Sequence, residues 1–169
     1  MITLPEGARD IEVTEKPNEL RYRLPEPPNA RADAAKEPTL DVIAKPHILG
    51  ALAKLYADPR LGKYWPARSV FRNTGEKLTD YRIRFRIPGF ADKWSDWSKT
   101  DTVYPGQTVV DSYRPILDYA KIATIESPTP VEVEVECEYT RTDGKKSSAT
   151  KKAATRILAM NDGVYSDVR

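Results

Sequence analysis

Residues 81–87 read Tyr-Arg-Ile-Arg-Phe-Arg-Ile, and residues 131–139 read Val-Glu-Val-Glu-Val-Glu-Cys-Glu-Tyr. Both stretches alternate strictly between apolar and charged side chains, which is the pattern of a β-strand with one buried and one solvent-facing side. The charged residues are arginines in the first stretch and glutamates in the second. We therefore predict that the two strands pair, because an arginine row beside a glutamate row is favourable and fixes the register.

Turn signals divide much of the remaining chain into short strands. An Asp143-Gly144 turn predicts a tight hairpin near the end of the chain. Residues 47–56 predict a short helix or an irregular crossover, because helical spacing there is interrupted by glycine and bracketed by proline. About seven closely spaced strands predict an all-β fold, an antiparallel β-sandwich. The predicted strands are residues 39–44, 67–72, 78–87, 109–115, 131–140 and 148–158.

Composition changes along the chain predict three segments. Prolines interrupt residues 1–38, which we expect to form an extended arm, with short edge strands at residues 11–13 and 20–24. The sandwich is predicted to occupy residues 39–160, and residues 161–169 are predicted to be an exit linker. An arm, one domain and a linker are typical of a module within a larger protein.

The net charge predicts no nucleic-acid partner, and the length of the apolar stretches predicts no membrane span. The chain has 27 basic and 25 acidic residues, a net charge of +2, so no strong field attracts nucleic acid. Lysines 145, 146, 151 and 152 have no aromatic residues among them that could stack on bases. They are typical of a soluble hairpin tip, where lysines prevent an edge strand from pairing with other chains. No stretch approaches the roughly 20 apolar residues that a membrane helix needs.

The residues that usually carry catalysis are few. His47 is the single histidine and Cys137 the single cysteine, and Cys137 occupies an inward position, where burial would raise its pKa and make it inert. We therefore expect no enzyme and no cofactor; the enzymatic alternative is an activity that depends on Cys137. Four aspartates around residues 89–107 leave a calcium site open, although their spacing matches no dedicated calcium loop; they are Asp92, Asp96, Asp101 and Asp111.

Aromatic residues in the same region are the candidate contacts for a ligand or partner. Trp94, Trp97 and Tyr104 would stack on sugars if they form an exposed platform, or fill one end of the sandwich core if they are buried, and the core position is favoured. Trp94 and Trp97 differ in parity, so a regular strand would turn only one of them inward. The other would then be exposed as a contact.

Two turn sequences carry a resemblance to a known family. With Asn73-Thr74-Gly75 after one predicted strand and Pro105-Gly106-Gln107-Thr108 before another, residues 39–158 resemble the bacterial and archaeal cell-adhesion-related (CARDB-like) Ig-like domains. The resemblance implies a seven-stranded Ig-like sandwich used as a spacer or binding module of a larger protein, often at the cell surface or in the envelope. The proline-rich arm, the tryptophan-containing loop and residues 46–63 depart from the pattern.

The function expected from these observations is that of a non-catalytic accessory module. It would contact another protein, or a neighbouring domain of the same polypeptide, through residues 94–104 or by adding a strand to a sheet edge. The alternative is a carbohydrate-binding module in which Trp94, Trp97 and Tyr104 stack on a glycan.

Overall fold

The computed structural model describes residues 9–13, 20–23 and 36–162 of the chain. Strands β1 (Arg9–Val13) and β2 (Leu20–Arg23) pair with each other in an antiparallel ladder. Strands were thus correctly predicted in this part of the arm. Residues 1–8, 14–19, 24–35 and 163–169, which include most of the predicted exit linker, lie outside the described residues.

Residues 36–162 form a β-sandwich of two sheets, which confirms the predicted fold class. The strands are β3 (Thr39–Ala44), β4 (His47–Ile48), β5 (Ala67–Arg72), β6 (Leu78–Arg86), β7 (Ser98–Val103), β8 (Thr108–Ser112), β9 (Thr129–Thr140) and β10 (Lys146–Ile157). The five-stranded sheet has the order β4-β10-β9-β6-β7, and the three-stranded sheet has the order β3-β5-β8. All pairs are antiparallel except the short parallel pair of β4 and β10.

The two charge-alternating stretches pair in the predicted register. Strand β6 places Arg82, Arg84 and Arg86 opposite Glu138, Glu136 and Glu134 of β9. Their apolar neighbours, such as Ile83 and Val135, are completely buried. The alternation therefore decides both which strands pair and which side of the sheet enters the core.

A bulge in β6 sets the parity of its alternation. The register to β9 shifts by one residue between Thr79 and Arg82, and Asp80 within the bulge has a φ of 52°. Because one residue is extra, Leu78 and Tyr81 both point inward although they are three positions apart. Aspartate is one of the few residues that tolerate such a positive φ.

Side chains from both sheets meet in one hydrophobic core. Phe71 of β5 lies with its ring centroid 4.6 Å from that of Tyr81, and Phe85 stacks on Tyr113 at 5.0 Å and 8°. On one side of the sandwich the chain itself crosses between the sheets, since Thr155 of β10 donates a hydrogen bond to the carbonyl of Lys45, directly after β3.

Asn73 joins the two turns that carry the family resemblance. Its side-chain amide donates to the carbonyls of Glu76 and Val103 at 2.7 and 3.0 Å, and its carboxamide oxygen accepts from the N–H of Gly75. Its backbone carbonyl accepts from the N–H of Gly106 at 2.6 Å. One buried side chain thus ties the β5–β6 turn to the β7–β8 turn.

Two elements differ from the sequence-based predictions, whereas residues 47–56 take one of the two predicted forms. Residues 98–103, predicted to lie in a loop, form β7, whose sequence Ser-Lys-Thr-Asp-Thr-Val is polar because the strand lies at a sheet edge and buries only Val103. Residues 47–56 begin with β4 and continue as a 3-10 turn at Gly50–Leu52, an irregular crossover. A four-residue helix, α1 (Tyr119–Ile122), was not predicted. Among the described residues, no helix is long and apolar enough to cross a membrane.

Candidate functional site

Two serines hold the tryptophan-containing segment in place, Ser95 by bonds to β6 and Ser98 by a bond to β8. The backbone N–H of Ser95 donates to the carbonyl of Phe85 at 2.8 Å, and the Phe85 N–H donates to Ser95 Oγ at 3.0 Å. Ser98 Oγ donates to the Asp111 carboxylate at 2.6 Å. Each tryptophan is therefore followed by a serine that fixes its position.

The two indole rings alternate with the arginines of β6 on the outer side of the five-stranded sheet. The Trp97 ring centroid lies 4.3 Å from the guanidinium carbons of both Arg82 and Arg84, and the Trp94 centroid lies 4.8 and 4.5 Å from those of Arg84 and Arg86. We call these five residues the Trp–Arg ladder. Cation–π contacts of this kind contribute about 0.5–2 kcal/mol each, depending on burial.

The glutamate row of β9 completes the charge balance of the ladder. Arg84 Nε donates to Glu136 at 2.7 Å, and Glu134 accepts from both Arg86 and Lys152 of β10. The hydrogen bond from Lys152, followed by that from Arg86, lowers the pKa of Glu134. The face is thus nearly neutral and holds its charges in fixed pairs, so it offers no basic stripe to an anionic ligand.

The tryptophans lie neither in the core nor on an open platform. The favoured prediction, that they fill one end of the core, is wrong, because both side chains are only partly buried and lie beside the arginines of β6. The parity argument does not apply, because residues 93–97 are not a regular strand. Each ring has guanidinium groups from two successive outward positions of β6 beside it and is only partly exposed. The sequence feature that indicates this arrangement is the combination of arginines two residues apart with Trp-Ser pairs three residues apart.

Tyr104 is separated from the two tryptophans. It follows the far end of β7, seven residues beyond Trp97, which corresponds to about 23 Å along an extended chain. Its side chain is 57% exposed and has the ammonium group of Lys77 at 5.8 Å from the ring centroid. The structure therefore does not assemble the three candidate aromatic residues into one surface.

A cleft lies at the side of the sandwich where β7 and β8 are the edge strands. It has a volume of about 790 Å³ and opens between residues 90–98 and residues 111–118. The two walls are joined by the Ser98–Asp111 hydrogen bond and by a 2.7 Å bond from the Asp118 N–H to the Phe90 carbonyl. Its apolar lining includes Phe85, Phe90, Trp94, Tyr113, Ile116 and Leu117.

Asp111 of β8 is one of the residues that line this cleft. One oxygen accepts the Ser98 hydrogen bond, whereas the other, Oδ2, is buried and has no hydrogen-bond partner among the described residues. Ser69 Oγ, opposite Asp111 in the β5–β8 register, and Tyr81 Oη are also buried without such partners. No sequence signal distinguished this cleft, because residues 111–118 combine a strand end with an irregular segment.

The residues considered for catalysis lie apart. Cys137 pairs with Ala149 of β10, and His47 pairs with Arg156 of the same strand, seven residues or about 23 Å away. Cys137 is fully buried, and this burial raises its pKa to about 12. In the part of the chain that the structure describes, no three His, Cys, Asp or Glu side chains are grouped so that they could hold a metal ion.

Comparison with known proteins gives no family to which the chain can be assigned. No protein-family model matches it, and no curated protein matches it. By its structure, the chain is a two-sheet β-sandwich with a Trp–Arg ladder on one outer face and a cleft at one side.

Proposed function

We propose that the chain is a non-catalytic accessory module that binds another protein, or a neighbouring domain of the same polypeptide, on the side of the sandwich formed by β7 and β8. The observation that carries the proposal is the order of the sheets, in which β7 and β8 are both end strands. An end strand has one row of backbone N–H and C=O groups available for an added strand.

The surroundings of this side support the proposal. The exposed Tyr104 follows β7, and the exposed Val110 lies within β8. Tyrosine is enriched at protein interfaces because it combines a large apolar surface with a hydroxyl group. The Trp–Arg ladder holds residues 94–97 against β6, so this side presents a fixed surface to a partner.

An Ig-like strand arrangement and a relationship to cell-adhesion-related domains belong to the same proposal. The bonds of Asn73 to both turns support it, because they give each of the two quoted turn sequences a structural role in the same place. Carbohydrate recognition has less support, because the tryptophan faces lie against guanidinium groups and Tyr104 stands alone.

The proposal can be tested by photo-cross-linking in the cells that produce the native polypeptide. Tyr104 would be replaced by the photoreactive residue p-benzoylphenylalanine, and the matched control would carry it at Asp143, an exposed position in the β9–β10 turn. We expect one discrete cross-linked protein, or one intramolecular cross-link to a neighbouring domain, from position 104 and not from position 143. Absence of a cross-link at position 104, or the same products from both positions, would contradict the proposal.

A further inference from the structure

We infer that the cleft between residues 90–98 and 111–118 takes up an extended segment of a partner protein that carries an arginine or lysine next to a large apolar residue. This inference rests on the proposed function, since it specifies the chemistry of the partner on the same side of the sandwich.

The walls of the cleft call for an apolar group. Ile116 is 85% exposed, and Phe90 and Leu117, which line the same cleft, are each 8% exposed. Covering Ile116 with a partner side chain would remove apolar surface from water without any rearrangement of the sandwich.

The charges of the cleft call for a cation. Four aspartates line it, against two basic residues, Lys93 and Arg114. An excess of carboxylates therefore faces the occupant; the four are Asp92, Asp96, Asp111 and Asp118.

The exposed carboxylates decide which charged group would fit. Asp92, Asp96 and Asp118 are exposed and therefore within reach of an occupant, whereas Asp111 Oδ2 is buried. Arginine and lysine combine an aliphatic stem, which can cover an apolar wall, with a charged head that donates to a carboxylate. One such side chain would satisfy both the wall and the carboxylates.

An extended backbone fits the remaining polar groups of the rim. The N–H group of the exposed Ile116 donates no hydrogen bond within the described part of the chain. A peptide in β conformation could accept from it while its alternate side chains enter the cleft.

The test is an NMR titration of the ¹⁵N-labelled full chain with capped hexapeptides. The probe peptide alternates leucine and arginine, and two matched peptides replace either every arginine by glutamate or every leucine by serine. We expect saturable shifts of the Ser98, Ile116 and Leu117 amides with the leucine–arginine peptide, and at least tenfold weaker binding of the other two peptides.

Variants at exposed positions keep the test independent of folding. Ile116→Ser should weaken binding of the leucine–arginine peptide about tenfold, whereas Ile43→Ser, which changes an isoleucine that is 54% exposed outside the cleft, should leave it unchanged. Equal binding of the glutamate peptide, no effect of Ile116→Ser, or no binding at all would overturn the inference. If the peptide titration fails in any of these ways but position 104 gives a discrete cross-link, only the inference about the cleft is contradicted. If the peptide binds as expected but position 104 gives no cross-link, only the proposed function is contradicted.

Discussion

Gly50 has almost no room around its Cα. It lies two residues after the end of β4, and a β-carbon there would overlap the carbonyl oxygen of Leu158 and come within 3.2 Å of Ile122 Cγ2. Leu158 is held in place by a 2.9 Å hydrogen bond from its N–H to the carbonyl of Ile48. The backbone next to β4 and β10 can approach this closely only because position 50 has no side chain.

Gly50→Ala should therefore lower the free energy of unfolding by about 2–3 kcal/mol, because the backbone of Leu158 must shift. Gly62→Ala is the matched control, since its nearest neighbour would be Arg114 Nη2 at 3.9 Å, and we expect a change below about 1 kcal/mol. Urea denaturation of both variants measures the difference. Equal stability of the two variants would contradict the close packing described at Gly50.

At the scale of elements, the Trp–Arg ladder explains how an irregular segment is held against a sheet. Arg84 is its central member, because its guanidinium contacts both indole rings and also bonds to Glu136. A lysine would keep the charge but lose the flat group that stacks between two rings.

Arg84→Lys should cost about 1–2 kcal/mol of stability, the value of roughly two cation–π contacts. Arg72→Lys is the control, because Arg72 pairs with Asp41 at 2.7 Å on an exposed surface where such pairs contribute little. Chemical denaturation compares the two, with tryptophan fluorescence as the signal. A cost at Arg84 no greater than at Arg72 would mean that the stacking contributes nothing to stability.

Glu134 should make the sheet sensitive to acid. Its pKa is lowered in the folded protein, chiefly by the hydrogen bonds from Lys152 and Arg86. A carboxylate with a lowered folded-state pKa stabilises the protein above its unfolded-state pKa of about 4.3, and this contribution is lost as the pH falls through the folded-state value.

We expect Glu134→Gln to lower stability by about 1 kcal/mol at pH 7 and to cost progressively less below about pH 4. Denaturation curves of the wild type and the variant between pH 7 and pH 3 provide the measurement. A difference between the two proteins that does not shrink towards low pH would argue against the charged pairing of Glu134.

The pairing of β6 with β9 could be predicted from the sequence, whereas β7 and the positions of the tryptophans could not. The pairing of β6 with β9 was predictable because strict alternation with opposite charges leaves one favourable register. Strand β7 was missed because an edge strand buries few side chains, so its sequence has no apolar alternation. The placement of Trp94 and Trp97 depends on the bonds of Ser95 to Phe85, which are contacts between segments that no local pattern reveals.

At the scale of the whole molecule, Cys137 provides a probe of how the sandwich opens. It lies on β9, between β6 and β10 in the five-stranded sheet, and its side chain is completely buried. Burial raises its pKa to about 12, so the folded protein holds it as an unreactive thiol at neutral pH. A reagent can reach it only when the packing of the core around β9 opens.

We therefore expect labelling of Cys137 by a disulfide reagent at pH 8 to be slower than labelling of a free cysteine by the ratio of unfolded to folded protein. The labelling rate should rise with urea along the same slope as global unfolding, because only global opening exposes the thiol. Stopped-flow absorbance and equilibrium denaturation on the same sample provide the two slopes. Rapid labelling of the folded protein would contradict the burial of Cys137 and would favour the cysteine-dependent activity that we consider the enzymatic alternative. A shallow urea dependence would instead mean that β9 is exposed by local opening, and that the two sheets do not unfold as one unit.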